Sequence, residues 1–264
     1  MRVPIFQIDA FTTQRFSGNP AAVMLMDSFP ADATLQAIAA ENNLAETAFL
    51  VVEGRDYRLR WFTSVIEVPL CGHATLASAA VVVERLKPGR SRVTFHSASG
   101  PLTVNRTDAG YIMDFPARPS EPIPAPAGLT EALGVVPIEV LVNSFNYMVL
   151  LESAQVLRKL APNMAALGRM DRPGVIATAA GMDRTMDPTT LSAFTSPRAK
   201  GIPEDAVTGA ACMLAPYWAK RLGKTAFRAF QASPRGGEII CRLAGDRVEL
   251  EGSCVFYMEG EVEI

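Results

Sequence analysis

The sequence predicts an α+β chain built as two similar halves, each a set of short strands around one buried helix. Three observations carry that expectation. The stretches 72–83 and 208–222 are alanine-rich and apolar on nearly every side, the pattern of a helix enclosed in its own core. Short apolar or alternating runs bounded by turn residues surround both, as half-buried strands do. Each helix follows a turn carrying a polar residue. Each is then followed by a strand, an Ala-Ser pair (Ala98-Ser99, Ala232-Ser233), a glycine and another strand. Gly72 and Gly209 stand about half a chain apart, the spacing expected of an internal duplication.

Taken in order, residues 3–11 alternate as a half-buried strand, and Gly18-Asn19-Pro20 is a turn before a second strand at 21–26. Asp32 is placed to cap a helix running to Asn43, with Leu35, Ile38 and Ala39 on one face. Strands are expected at 47–52 and 57–63. Pro69 resists helix and biases Val68 toward an extended conformation, so the next helix starts near Gly72. Strands follow near 92–96, 101–105 and 111–115. Five prolines between Pro116 and Pro126 then exclude a helix or a central strand, which makes 117–126 a linker between domains 1–116 and 127–264. The second half has strands near 139–142 and 147–151, helical pieces within 155–167, and strands near 175–179 and 191–195. Its core helix, 208–222, stops at Gly223. Strands at 226–232, 238–243, 247–251 and 255–261 close the series.

Composition narrows the function classes. The chain has 264 residues, enough for two domains of ordinary size, with 49% hydrophobic residues and a mean hydropathy of +0.17. No apolar run approaches the roughly 20 residues that a membrane span needs, and no signal peptide is expected. Net charge is −2 and no Lys/Arg block stands out, which argues against nucleic acid as a partner. Cys71, Cys212, Cys241 and Cys254 are scattered without a CxxC pair, against both a zinc site and a disulfide framework. With only His73 and His96, a histidine-based metal centre is not expected either. A reducing cytoplasm is the default location.

Three stretches carry chemistry. In Leu70-Cys71-Gly72-His73-Ala74, a titratable imidazole sits beside helix N–H groups that lack intrahelical partners, at a point where Gly72 allows close approach. This suits a small carboxylate next to an acid/base, or simply a glycine-started core helix with a hydrogen-bonded histidine. In Glu204-Asp205-Ala206-Val207-Thr208-Gly209-Ala210, Asp205 precedes a helix N-terminus, as a binding carboxylate or as an ordinary cap. Glu46, flanked by Leu44, Ala45, Ala48 and Phe49, is expected to be partly desolvated. Desolvation raises a carboxyl pKa and suits it to acid/base work near neutrality, although a strand-edge glutamate facing water has the same local sequence.

Together with Gly18-Asn19-Pro20 and Asn43-Leu44-Ala45-Glu46-Thr47, these motifs resemble the phenazine-biosynthesis PhzF-like family, which has a diaminopimelate-epimerase-like fold. The resemblance runs as far as Gln231-Ala232-Ser233-Pro234-Arg235-Gly236-Gly237. It implies two similar domains, each a barrel-like, mostly antiparallel sheet around a central helix, with the active site in the cleft between them. The last strand, 255–264, is expected to complete the first domain. The resemblance also implies cofactor-independent, metal-free isomerisation of a small amino- or hydroxy-carboxylate. Glu46 would be the acid/base, with His73 and Asp205 holding and shuttling protons. Asn19 and the backbone at Gly72, Ala74, Gly209 and Ala210 would bind substrate, and homodimers are common among relatives. Ala210 and Ala206 depart from the usual family Ser and Pro. Two other readings stay open on the same fold: a two-thiol racemase or epimerase, in which Cys71 would be one thiol and Ala206 occupies the place of the other, and a non-catalytic carboxylate-binding protein.

Overall fold

The computed structural model describes residues 2–172, 174–182, 188–195 and 208–264. It divides into two compact units, Met1–Asp114 with Leu250–Ile264, and Phe115–Glu249. In chain order the first unit begins with β1 (Arg2–Ala10), β2 (Asn19–Met26), α1 (Asp32–Asn42), β3 (Glu46–Glu53) and β4 (Asp56–Phe62). It continues with β5 (Glu67–Val68), α2 (Gly72–Val81), β6 (Arg92–Ser97), β7 (Gly100–Arg106) and β8 (Tyr111–Pro116). Then come β9 (Glu121–Ile123), α3 (Leu129–Leu133), β10 (Glu139–Val142), β11 (Asn146–Leu150), α4 (Ala154–Arg158) and α5 (Met164–Leu167). β12 (Gly174–Met182), β13 (Pro188–Thr195), α6 (Thr208–Leu222), β14 (Ala226–Gln231), β15 (Glu238–Ala244) and β16 (Arg247–Gly252) follow. The last strand, β17 (Cys254–Glu263), returns to the first unit and pairs antiparallel with β1 along its whole length.

The strands of the first unit pair in the order β17-β1-β2-β3-β4-β6-β7-β8. Most neighbours are antiparallel, but β2/β3 and β4/β6 are parallel. A parallel pair needs a crossover rather than a hairpin, and α1 and α2 supply the two crossovers. All ten residues of α2 are buried, as their all-round apolar pattern requires. The helix packs on β1, β2 and β3. Its two hydroxyl residues are satisfied internally, Thr75 Oγ1 donating to the Cys71 carbonyl and Ser78 Oγ to the Ala74 carbonyl. A second core lies under α1, where Leu35 and Ala39 meet Met24, Phe49 and Phe62.

The second unit repeats this path. β9-β10-β11-β12-β13-β14-β15 matches β17-β1-β2-β3-β4-β6-β7 strand for strand, with β11/β12 and β13/β14 as the parallel pairs. The small helices α4 and α5 take the place of α1, and α6 takes the place of α2. Ser153 and Asn163 cap the two small helices by accepting from the Val156 and Ala166 N–H groups. α6 carries Pro216 in its interior. Proline cannot donate to the carbonyl four residues back, and that carbonyl, of Cys212, accepts instead from the Arg118 N–H at 2.9 Å. Gly223 (φ 65°) ends the helix, with Lys224 N–H reaching back to the Ala219 carbonyl.

Some expectations need correction. The sheets are not barrel-like: no sheet is closed or strongly curled. Closure requires the two end strands to hydrogen-bond at a consistent tilt and shear, and among the described residues no ladder joins β17 to β8. Asp32 does not cap α1. Ala31 holds the cap position, and Asp32 lies in the first turn, where its carboxylate pairs with Arg60 at 2.9 Å. α3 was not expected, and the proline-rich stretch holds the three-residue strand β9, short enough for an edge. Among the described residues no helix is long and apolar enough to cross a membrane.

Gly18 shows how tightly the first turn is set. Its φ is +66°, and a Cβ there would lie 2.2 Å from the Ala10 carbonyl oxygen. Gly54 has a similar φ of +62° but open space around it. Gly54→Ala should therefore cost only the left-handed penalty, about 1–2 kcal/mol. Gly18→Ala adds a backbone clash and should cost at least about 1 kcal/mol more. Urea denaturation of both variants checks the order.

Candidate active site

The start of α2 and the start of β3 meet. The Cys71 backbone is extended (φ −143°) where the chain enters α2, and its side chain does not cap the helix. Its thiol lies 3.4 Å from His73 Nδ1 instead. The other ring nitrogen, Nε2, lies 3.2 Å from Glu46 Oε2. Glu46 and His73 are both 0% exposed, and Cys71 is buried beside them. One imidazole thus stands between a thiol and a carboxylate.

Sheet register brings Glu46 there. It opposes Ala21 in the parallel β2/β3 pair, so the strand ends line up at one edge of the ladder. Asn19, two residues before Ala21 and opposite Ala10 on β1, shares that face by the two-residue period of a strand. Asn19 is also buried, at 3% exposure. The Gly18 turn fixes where β2 begins and hence this alignment. On the helix side, Gly72 and Ala74 keep the first turn free of bulky side chains, and both are buried. The N–H groups of that turn have no intrahelical acceptor, and the helix dipole places positive potential among them.

Thiol, imidazole and carboxylate atoms lie within 4.8 Å of one another, a spacing also compatible with a metal ion. The two contacts use the ring differently, however. The thiol faces Nδ1 and the carboxylate faces Nε2, and a single ion cannot bind both nitrogens of one imidazole. The thiol–imidazole contact has hydrogen-bond geometry, and the imidazole–carboxylate contact is a close approach at ion-pair distance.

Of the residues expected in a site, Glu46, His73, Gly72 and Ala74 are brought together, with Asn19 on the same sheet face. Gly209 and Ala210 lie in the first turn of α6, in the second unit, where Ala210 is buried. Asp205 and Ala206 lie outside the described residues. Cys71, read from sequence as a helix-entry residue or one thiol of a pair, turns out to contact His73. Cys-x-His spacing is the signal that could have shown it. Burial pushes the thiols of Cys241 and Cys254 far up, which holds both protonated.

Residues 8–260 match the profile of a family described as phenazine biosynthesis-like protein, PhzC-PhzF. An uncharacterised isomerase of Pseudomonas aeruginosa is 45% identical over 265 residues, which cover 100% of both chains. Another, from Halalkalibacterium halodurans, is 41% identical over 265 residues, or 99% of each chain. A crystal structure of a PhzF-family phenazine biosynthesis protein from Enterococcus faecalis matches with a TM-score of 0.93 at 39% identity, covering 100% of both chains.

The buried pair sets an asymmetry in stability. His73→Ala leaves the buried Glu46 carboxylate without its imidazole and should cost about 3–5 kcal/mol near neutral pH. Glu46→Gln keeps the shape without the charge and should cost less than about 1.5 kcal/mol. In the His73→Ala protein, Glu46 binds its proton more tightly folded than unfolded. The deficit should therefore shrink as pH falls through the folded pKa and vanish below the ordinary carboxylate range. Urea midpoints across pH read both effects, and an equal, pH-independent cost for the two substitutions would contradict this asymmetry.

Proposed function

The chain belongs to the phenazine biosynthesis-like PhzF isomerase family, and from that membership we propose that it moves a proton between carbons of a small amino- or hydroxy-carboxylate without a cofactor. The observation that carries this reading is the Glu46–His73 contact at the start of a fully buried helix. A carboxylate here has an acceptor oxygen for a carbon-bound proton and an imidazole beside it to steady the charge. Enclosure strengthens the electrostatic contacts that the carboxylate and the imidazole make with a bound substrate.

In this mechanism the Glu46 carboxylate takes the proton and becomes a neutral acid. The electron pair left on the substrate spreads through its conjugated system, and Glu46 then protonates the other end. His73 donates to Glu46 or to a polar group of the substrate. The first-turn N–H groups of Gly72, His73 and Ala74 receive the substrate carboxylate, a use to which helix N-termini are well suited. Asn19, Asp205 and the N–H groups of Gly209 and Ala210 are assigned to substrate binding by family resemblance. Ala210, where relatives usually carry Ser, lacks one hydroxyl contact, which bears on which carboxylate is accepted.

Solvent-deuterium exchange into candidate amino- and hydroxy-carboxylates tests the reading. Glu46→Gln should lower isomerisation and deuterium uptake together by about 10²–10⁴-fold while leaving ligand binding nearly intact. Exchange at the wild-type rate by the Gln variant, with a substrate the wild type turns over, would remove Glu46 from the chemistry.

A further inference from the structure

We propose that Cys71 is a positioning residue: its thiol donates to His73 Nδ1 and thereby fixes the imidazole as the tautomer whose single proton sits on Nε2, the ring nitrogen that lies beside Glu46. This rests on the reading of Glu46 as the proton-transferring group and says how that group is held ready.

The argument begins with the imidazole's limited valence. A neutral ring has one N–H donor and one acceptor nitrogen. Here both nitrogens are engaged, Nδ1 by Cys71 Sγ at 3.4 Å and Nε2 by Glu46 Oε2 at 3.2 Å. Three proton arrangements of equal net charge are compatible with both contacts. In the first, the thiol donates to Nδ1 and the ring proton on Nε2 lies beside a carboxylate. In the second, a protonated carboxyl faces Nε2 and Nδ1–H donates to a thiolate. In the third, an imidazolium stands between a thiolate and a carboxylate. Ordinary pKa values of about 4.3 for carboxyl, about 6.5 for imidazole and about 8.5 for thiol favour the first by roughly 10⁴ over the second and roughly 10² over the third.

The surroundings do not reverse that preference. Both side chains are buried, so desolvation penalises whichever carries the charge. The helix N-terminus likewise favours an anion on either one. The Cys71 position is itself fixed, since the Thr75 N–H and the Thr75 hydroxyl both hold the Cys71 carbonyl. The thiol therefore sets the tautomer of His73, whose ring proton sits on the nitrogen beside Glu46.

The test needs no substrate. His73 and His96 are the only histidines in the sequence, so ¹⁵N-histidine labelling gives two rings, and His96→Gln identifies which is which. At neutral pH, wild-type His73 should show an unprotonated Nδ1 and a protonated Nε2. Cys71→Ser, which keeps a donor at the same place, should retain that signature. Cys71→Ala should lose it, shifting His73 to a mixture of tautomers or to Nδ1–H. A wild-type ring that is Nδ1–H or doubly protonated would overturn the proposal, as would an unchanged tautomer in Cys71→Ala. Should the Ala variant fail to fold, the wild-type and Ser spectra still decide. The outcome is separable from the proposed function: undiminished deuterium exchange in Glu46→Gln would sink the isomerase reading while leaving the tautomer result standing.

Discussion

A carboxyl group and an imidazole have been taken completely out of water in the first unit, and much of its architecture answers that cost. Each of Glu46 and His73 would be expensive to bury alone, so they must meet. For them to meet, β3 must begin level with β2, which the Gly18 turn and the parallel register arrange. The helix that brings His73 must also be enclosed, which is why α2 has no polar face and returns its hydroxyls to its own carbonyls.

In the second unit β12 corresponds to β3 and α6 to α2. There the Trp218 indole N–H donates to Thr178 Oγ1 at 3.0 Å. That contact ties the middle of the strand to the second half of the helix, whereas Glu46 and His73 meet where β3 and α2 begin.

Much of this was legible in the residues. The all-round apolar pattern of α2 announced its burial, and the apolar flanks of Glu46 announced desolvation, although the structure buries it fully rather than in part. Duplication, visible only as a faint repeat of helix, strand and Ala-Ser pair, is plain in the strand pairings. What was not legible depends on distant parts of the chain. Whether a sheet closes is decided by the pairing of its end strands, and so the barrel was misjudged. Asp32 carries the composition of a cap, but it lies one residue inside the helix, where it pairs with Arg60 of β4. The Cys71 contact follows from an extended backbone at the helix entrance, which residue type alone does not specify.

The return of β17 to β1 has a consequence for how the chain is made. Synthesis proceeds from the N-terminus, and domains generally fold as they emerge. Yet β1 lacks one neighbour until residues 254–263 have been added, after the entire second unit. For that interval the nascent first unit presents one side of β1 as an open edge, a template on which another chain could pair until β17 occupies it.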